Sequence, residues 1–282
     1  ISFVFGVIYG VFEISFNLYA SNVEKRENKS MMSGFHAFWS LGVLLGSIAT
    51  SLFLELNVSF IINILIYVII LLPLNLVCVF NLKKDQKIYE NLNKNIFFIW
   101  PIIIFLLVGI SIACALTEGS VDSWGALYMR DYIQVSGFNI GIATISFNIF
   151  MVIGRLSGDW FRDKIGVYKL IIILFLFNLL SLVILVFFKS IIFAIVGFAI
   201  LGIGTSCIIP FAYSLAAKVK GVESGVAISI ISIFVYGTFM AAPASLGILA
   251  NNFGVNNIFL PMLLIFLILM IPISIYKNHF EL

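Results

Sequence analysis

The stretch GRLSGDWFRDKIG, residues 154–166, is a charged interruption in a chain that is otherwise almost continuously apolar. Acidic, basic and glycine residues alternate within it, and long apolar runs lie on both sides. A connection between two membrane helices has this composition, because charged side chains are expelled from hydrocarbon. The segment is therefore predicted to be a polar loop at one membrane surface, between the fifth and sixth spans.

The composition of the whole chain indicates an all-α integral membrane protein. Of its 282 residues 62% are hydrophobic and 10% are charged, against about 25% charged in an average soluble domain. A helix of about 20 apolar residues crosses a hydrocarbon core of about 30 Å. Strands of a membrane barrel would alternate in polarity, and these runs do not. Nine spans are predicted: 1–21, 33–55, 59–82, 96–117, 138–158, 167–188, 190–216, 223–249 and 255–276.

The basic residues predict how the chain is oriented. If the C-terminus is cytoplasmic, all 16 Lys and Arg residues fall on the inner side except Arg130 and Lys189. Cytoplasmic loops of membrane proteins collect basic residues in this way. We therefore predict a multi-pass protein of the cell membrane, with the lipid bilayer as one partner. The basic loops need no nucleic-acid partner to explain them.

The longest polar connection between spans divides the chain into two parts. It reads NLKKDQKIYENLNKN, residues 81–95, and separates three predicted spans from six. This division predicts four parts: an incomplete N-terminal transmembrane bundle at 1–82, a cytoplasmic linker at 83–95, a C-terminal six-helix bundle at 96–276 and a cytoplasmic tail at 277–282.

Metal, redox and phosphate chemistry have little support in the sequence. The three cysteines, Cys78, Cys114 and Cys207, lie in apolar spans without paired spacing. There are two histidines, no His-Glu-x-x-His motif and no glycine-rich phosphate loop. We predict no metal site, no cofactor and no enzymatic activity. An intramembrane redox or enzymatic subunit and a non-transporting sensor or remnant are the alternatives that stay open.

The charged stretch resembles the loop signature of the major facilitator superfamily. The residues that fit the signature are Gly154, Arg155, Leu156, Gly158, Asp159, Arg162 and Gly166. Trp160 departs from it, since the family usually has Arg or Lys there. The resemblance implies a cytoplasmic gate, in which Asp159 holds the ends of adjacent helices together through a basic partner or the positive end of a helix. An ordinary charged loop is the alternative.

Two further segments are similar to the branch of this superfamily near the fucose permeases. They are VEKRENKSMMSGFHAFWSLGVLLG, residues 23–46, and TEGSVDSWGALYMRD, residues 117–131. The family signature in its second copy joins the eighth and ninth of twelve spans, so the resemblance implies that spans four to twelve are present and that the chain is truncated at its N-terminus. It also implies a secondary transporter of a small polar solute that uses no ATP, and the fucose permease branch suggests a sugar as that solute.

An acid in the first span is the strongest candidate for a functional residue. Glu13 lies about 12 Å from the inner end of its helix, near the middle of the bilayer, and Asn17 is one turn away on the same face. The resemblance implies that Glu13 couples proton movement to transport, with protons as a second partner. Burial, which favours the neutral acid, agrees with that role. A hydrogen-bonded structural carboxyl is the alternative.

Other polar and aromatic residues within spans are candidates for the site. Asn17, Trp39, Asn148 and Tyr236 are predicted to bind substrate, although packing explains Trp39 equally well. His36 near a helix start needs no function there. The remaining candidates form a predicted outer gate or rim, with a solvated membrane edge as the alternative: Glu118, Asp122, Trp124 and Tyr128.

Small residues and proline interrupt two of the predicted spans. GIGTSCIIP, residues 202–210, and YGTFMAAPASLG, residues 236–247, combine them within apolar sequence. Close helix packing with a kink explains this pattern, and so does a flexible helix that lines a substrate path. The sequence leaves both explanations open.

Overall fold

A computed structural model describes residues 2–56, 58–81 and 100–280 of the protein. The predicted linker at 83–95 lies outside the described residues. The helices are α1 Ser2–Glu27, α2 Met32–Glu55, α3 Phe60–Asn81, α4 Ile102–Leu127, α5 Ile142–Ile165, α6 Val167–Phe187, α7 Ile191–Ser206, α8 Ile208–Ala216, α9 Ser224–Phe253 and α10 Leu260–Ile275. The all-α fold predicted from composition is confirmed.

Seven helical segments of the described chain are long and apolar enough to cross a membrane. They comprise α3, α4, α5, α6, the α7–α8 pair, α9 and α10. The first two predicted spans correspond to α1 and α2, which are continuous helices of 26 and 24 residues. The protein is therefore a multi-pass membrane protein.

Two boundaries differ from those predicted. The predicted span 190–216 is broken at Cys207 into α7 and α8. GRLSGDWFRDKIG is not a loop, because α5 continues to Ile165. Gly166, at a φ of +83°, ends α5 in a conformation that favours glycine. The charged residues are tolerated in this helix because much of their face is covered by α1, α2 and α8 rather than by lipid.

Helices α4 to α10 share one core, and α1 and α2 pack against its α5, α8 and α9 side. Close approach of α5 and α7 depends on Gly202, where an added Cβ would overlap the backbone oxygen of Phe147. We call the end where α1, α5 and α8 finish and α2, α6 and α9 begin the basic end. At this end the segment Lys277–Phe280 turns back, and the buried Phe280 ring packs 6.2 Å from that of Tyr168.

Candidate functional site

A cavity of about 500 Å³ lies between α1 and α2 on one side and α4, α5, α8 and α9 on the other. Its ionisable groups are carboxylates, one imidazole and one guanidinium: Glu13, His36, Glu118, Asp122 and Arg155. Aromatic rings form much of the remaining wall: Tyr9, Phe12, Phe16, Phe35, Phe38, Trp39, Phe147, Tyr213, Tyr236 and Phe239. The polar groups thus meet in an apolar enclosure, as in small-molecule sites generally.

Glu13 of α1 lines this cavity with a side chain held by neutral donors. It is 8% exposed. The Tyr9 hydroxyl donates to Glu13 Oε1 at 3.2 Å, and Asn17 Nδ2 donates to Glu13 Oε2 at 3.1 Å. No cation forms an ion pair with Glu13 within the described residues. Both carboxyl oxygens therefore have a hydrogen-bond partner, and neither has a compensating charge among the described residues.

Asn17 lies between Glu13 and His36. It is fully buried and is not among the residues that line the cavity, so its direct contact with substrate stays a prediction. Its amide links two cavity residues, because Nδ2 donates to Glu13 while Oδ1 lies 2.9 Å from His36 Nε2. This arrangement assigns the Nε2–H donor to His36. The His36 ring stacks on Tyr213 at 5.9 Å, which fixes its orientation.

Arg155 of α5 lies in the cavity and not at the basic end, where the family signature predicted it. Its Nε donates to Ser206 O at 2.9 Å, its Nη2 pairs with Glu118 Oε1 at 2.9 Å, and its Nη1 contacts Ser40 Oγ. The guanidinium also lies 5.8 Å from the Trp39 ring centre. Ser206 is the last residue of α7, so Arg155 satisfies a carbonyl that the helix break leaves free. It joins α4, α5, α7 and α2.

The predicted rim residues on α4 divide between two environments. Glu118 and Asp122 line the cavity; Glu118 is buried and paired, so it is not part of a solvated rim. Asp122 is exposed, and its carboxylate accepts no hydrogen bond from any described residue. Trp124 packs against Gly247, and Tyr128 is completely buried with its hydroxyl donating to Leu185 O at 2.7 Å. Tyr128 is therefore a packing residue.

The other predicted substrate residues, Trp39, Asn148 and Tyr236, all line the cavity. Trp39 is 49% exposed. Asn148 donates from Nδ2 to Thr144 O at 2.9 Å, which leaves its Oδ1 for another partner. The Tyr236 ring meets that of Tyr9 edge-on at 5.9 Å, so the two rings bring α9 and α1 together across the cavity.

Asp159 connects the basic end of α5 to the start of α2. Its Oδ1 accepts the Ser33 N–H at 3.2 Å and its Oδ2 accepts the Gly34 N–H at 2.7 Å. Both donors belong to the first turn of α2, where free N–H groups and the helix dipole favour an anion. Of the two partners predicted for Asp159, the helix end is present, and no basic side chain of the described residues forms an ion pair with it.

A buried ion pair ties α1 to α5 at the same level. Glu24 Oε1 lies 3.3 Å from Arg162 Nη1, with side-chain exposures of 2% and 7%. Glu24 also accepts the Met31 N–H at 3.1 Å and a hydrogen bond from the Ser214 hydroxyl of α8. Glu24 is eleven positions after Glu13 in α1, which corresponds to about 16 Å. These contacts therefore close the basic end at a level of α1 that is well separated from the cavity.

Two glycines of the signature allow this closure. An added Cβ at Gly158 would overlap Cys207 Sγ and approach Ser33 Oγ, and one at Gly154 would overlap Ser206. Cys207 is 2% exposed, and its Sγ lies 3.2 Å from Ser33 Oγ of α2. The helix break, the signature and α2 therefore meet at one tightly packed point. We call the contacts of Glu24, Ser33, Gly34, Asp159 and Arg162 the basic-end latch.

Comparisons with known proteins agree with this architecture. Residues 102–279 match the Major Facilitator Superfamily. The chain belongs to the major facilitator superfamily. It is also 28% identical over 249 residues to an uncharacterized MFS-type transporter of Yersinia pestis and 29% identical over 254 residues to an uncharacterized transporter of Sinorhizobium fredii. These alignments each cover 88% of this chain and 64% and 66% of the relatives.

Membrane protein MosC of Rhizobium meliloti is 26% identical over 260 residues, which cover 90% of this chain and 62% of that protein. This superfamily chain thus spans less than two thirds of the length of these relatives. Membership explains why the signature residues occur together, while the geometry above shows which of them face the cavity and which belong to the latch.

The sequence alone does not identify several residues of the site. Tyr9 and Tyr213 resemble ordinary residues of an apolar helix. Ser40 belongs to the resembling segment 23–46, but the sequence predicts no role for it. Glu24 precedes basic residues, so in the sequence it resembles a solvated helix end. The sequence predicts Arg155 in a loop, whereas α5 carries it into the cavity. Helical spacing was the missed signal: Asn148, Arg155, Asp159 and Arg162 lie on one helical face.

Proposed function

We propose that the protein is a secondary transporter that moves a small polar solute by alternating access, with protons as the coupling ion. The observation that supports this best is Glu13, a carboxyl held by neutral donors in a cavity between two groups of helices. Ionised Glu13 needs water or a cation, whereas neutral Glu13 can be enclosed. Proton binding can therefore bias which conformation is populated, since the two conformations bind the proton with different affinity.

The latch supports an access mechanism in which the described conformation is closed at the basic end. Asp159 holds α2 against α5, and Glu24 holds α1 against α5. Breaking these contacts would let the two groups of helices separate at that end, as in other transporters with a midplane site. We propose that the basic end faces the cytoplasm of the cell, with the C-terminus inside, because basic residues are concentrated there.

Residues of the cavity receive roles in this proposal. Trp39, Asn148 and Tyr236 contact the solute, and Asn17 positions Glu13 and His36. A relationship to the fucose permease branch rests on the sequence resemblance and is part of the proposal. The protein is a carrier in this scheme and needs no chemical step.

Proteoliposomes containing the purified protein and a pH-sensitive dye test the proposal. With an inward proton gradient imposed, we expect the lumen to acidify faster when a transported solute is added outside, because each transport cycle carries a proton. A panel of sugars, sugar amines and other organic cations supplies the solutes, and protein-free liposomes supply the background. A solute that accumulates without any effect on the dye would contradict proton coupling.

Replacing Asp159 by asparagine tests the latch through the reactivity of Cys207. The change removes the charge at the start of α2 and one of two acceptors, so the basic end should open more often. In a Cys78→Ala, Cys114→Ala background we expect N-ethylmaleimide to modify Cys207 about tenfold faster, which corresponds to about 1.4 kcal/mol.

The matched control is Asp163→Asn, which removes an exposed carboxylate from the same helix. It should leave the labelling rate of Cys207 as it is. Equal rates in the two asparagine variants would show that Asp159 does not hold the basic end closed.

A further inference from the structure

The charges lining the cavity do not balance. Among the described lining residues are the carboxylates of Glu13, Glu118 and Asp122 and the guanidinium of Arg155. Glu118 is compensated, because Arg155 lies 2.9 Å away from it. Glu13 receives hydrogen bonds from a hydroxyl and an amide, and Asp122 receives none from the described residues. When these carboxyls are ionised, the described lining residues therefore carry three negative charges against one positive charge.

The aromatic rings around the carboxylates favour a cationic ligand. Tyr236 lies 5.9 Å from Tyr9 and 6.4 Å from Phe239, measured between ring centres, and all three line the cavity. Aromatic faces attract ammonium groups and also cover an apolar body. A volume of about 500 Å³ holds one small molecule of ring size, within the range of roughly 300–1,000 Å³ seen in ligand sites.

We infer that the solute carried in this cavity is a small organic cation, with an ammonium group and a ring-sized apolar or weakly polar body. The ammonium is placed on the side of Asp122 and Glu13, and the body lies against the rings of Tyr9, Tyr236 and Phe239. An anion would meet the uncompensated carboxylates. A neutral sugar would leave Asp122 without a counter-charge. The inference names the substrate class of the proposed transporter and rests on that function for its physiological meaning.

Three probes of nearly equal shape and different charge test the inference by equilibrium binding. They are benzylammonium, benzyl alcohol and benzoate, titrated near neutral pH and at low salt so that charge effects are not screened. Binding to the purified protein is followed by calorimetry. We expect benzylammonium to bind at least about tenfold more tightly than benzyl alcohol, and benzoate to bind most weakly. Equal affinities, a preference for the alcohol or benzoate, or no binding of benzylammonium would overturn the inference.

Two matched variants test whether the Asp122 carboxylate binds the ammonium group. Asp122→Asn should lower benzylammonium affinity about tenfold and leave benzyl alcohol affinity unchanged, which also shows that the variant is folded. Asp131→Asn is the control, because it removes an exposed carboxylate that follows the same helix and pairs with Arg130. If both variants bind benzylammonium like the original protein, Asp122 is not the counter-charge and the inference fails.

The binding result and the transport result can fail separately. A protein that binds benzylammonium selectively but moves no solute in the proteoliposomes keeps the cation site and loses the proposed transport. A protein that transports a neutral sugar with proton movement, and shows no preference for benzylammonium, keeps the transport and loses the cation site.

Discussion

Replacing Arg155 by methionine is expected to destabilise the protein more than any other single change in the cavity. Methionine fills a similar volume but leaves Glu118, 8% exposed in its side chain, without its counter-charge. It also leaves Ser206 O at the helix break without a donor. Breaking a buried ion pair from one side costs about 3–5 kcal/mol. We expect a large fall in the apparent melting temperature of the detergent-solubilised protein.

The double variant Glu118→Gln, Arg155→Met separates the charge from the packing. Removing both charges should recover much of the lost stability, since a neutral pair in this place costs less than one isolated carboxylate. The part that is not recovered reports the contacts with Ser206 and Ser40.

Arg130→Met is the control for these two variants. Arg130 forms a salt bridge of 2.6 Å with Asp131, but its side chain is 57% exposed. Solvent screens such a pair, so the melting temperature should change little. If Arg155→Met melted at the same temperature as Arg130→Met, Arg155 would not have the joining role that its contacts indicate.

The fold was predictable because hydrocarbon imposes one pattern on the sequence. Each predicted apolar run corresponds to a helix or, at 190–216, to two consecutive helices. A connected run of apolar residues specifies length but not continuity. The kink or flexible helix that GIGTSCIIP indicates had no predicted position, and the structure places the break at Cys207. Small residues and Pro210 in GIGTSCIIP were its only local signal.

Residues of the site were predictable only where their spacing on a single helix brings them together. Glu13 and Asn17, and likewise Glu118 and Asp122, share a face through local spacing alone. The partners of Arg155 lie on α2, α4 and α7, and nothing in the neighbouring sequence specifies such contacts. Tyr128 shows the same limit, since its position on α4 does not reveal the carbonyl of Leu185 that its hydroxyl contacts.

Replacing Glu13 by glutamine is expected to abolish proton-driven accumulation of solute. Glutamine retains one acceptor oxygen for Tyr9 or Asn17 and carries no charge, so it resembles the protonated acid permanently. A site that cannot lose its proton cannot exchange that proton between the two sides of the membrane. The conformational change itself needs only the neutral form, so exchange of solute down its own gradient should continue.

The measurement combines both activities in the same proteoliposomes. Accumulation under an imposed proton gradient is compared with counterflow of labelled solute in the absence of a gradient, using a solute identified by the dye assay. We expect the first to fall to background in Glu13→Gln and the second to stay within about twofold of the original protein.

Glu27→Gln provides the matched control, because it makes the same change near the end of the same helix. Glu27 is 54% exposed and pairs with Arg26 at 3.0 Å, away from the cavity. It should retain both activities. Loss of accumulation and counterflow together in Glu13→Gln would indicate a structural carboxyl, since a coupling residue affects only the step that needs proton release. Full accumulation in Glu13→Gln would show that the proton is carried elsewhere, and the cavity offers Asp122 and Glu118 as the remaining carboxyls.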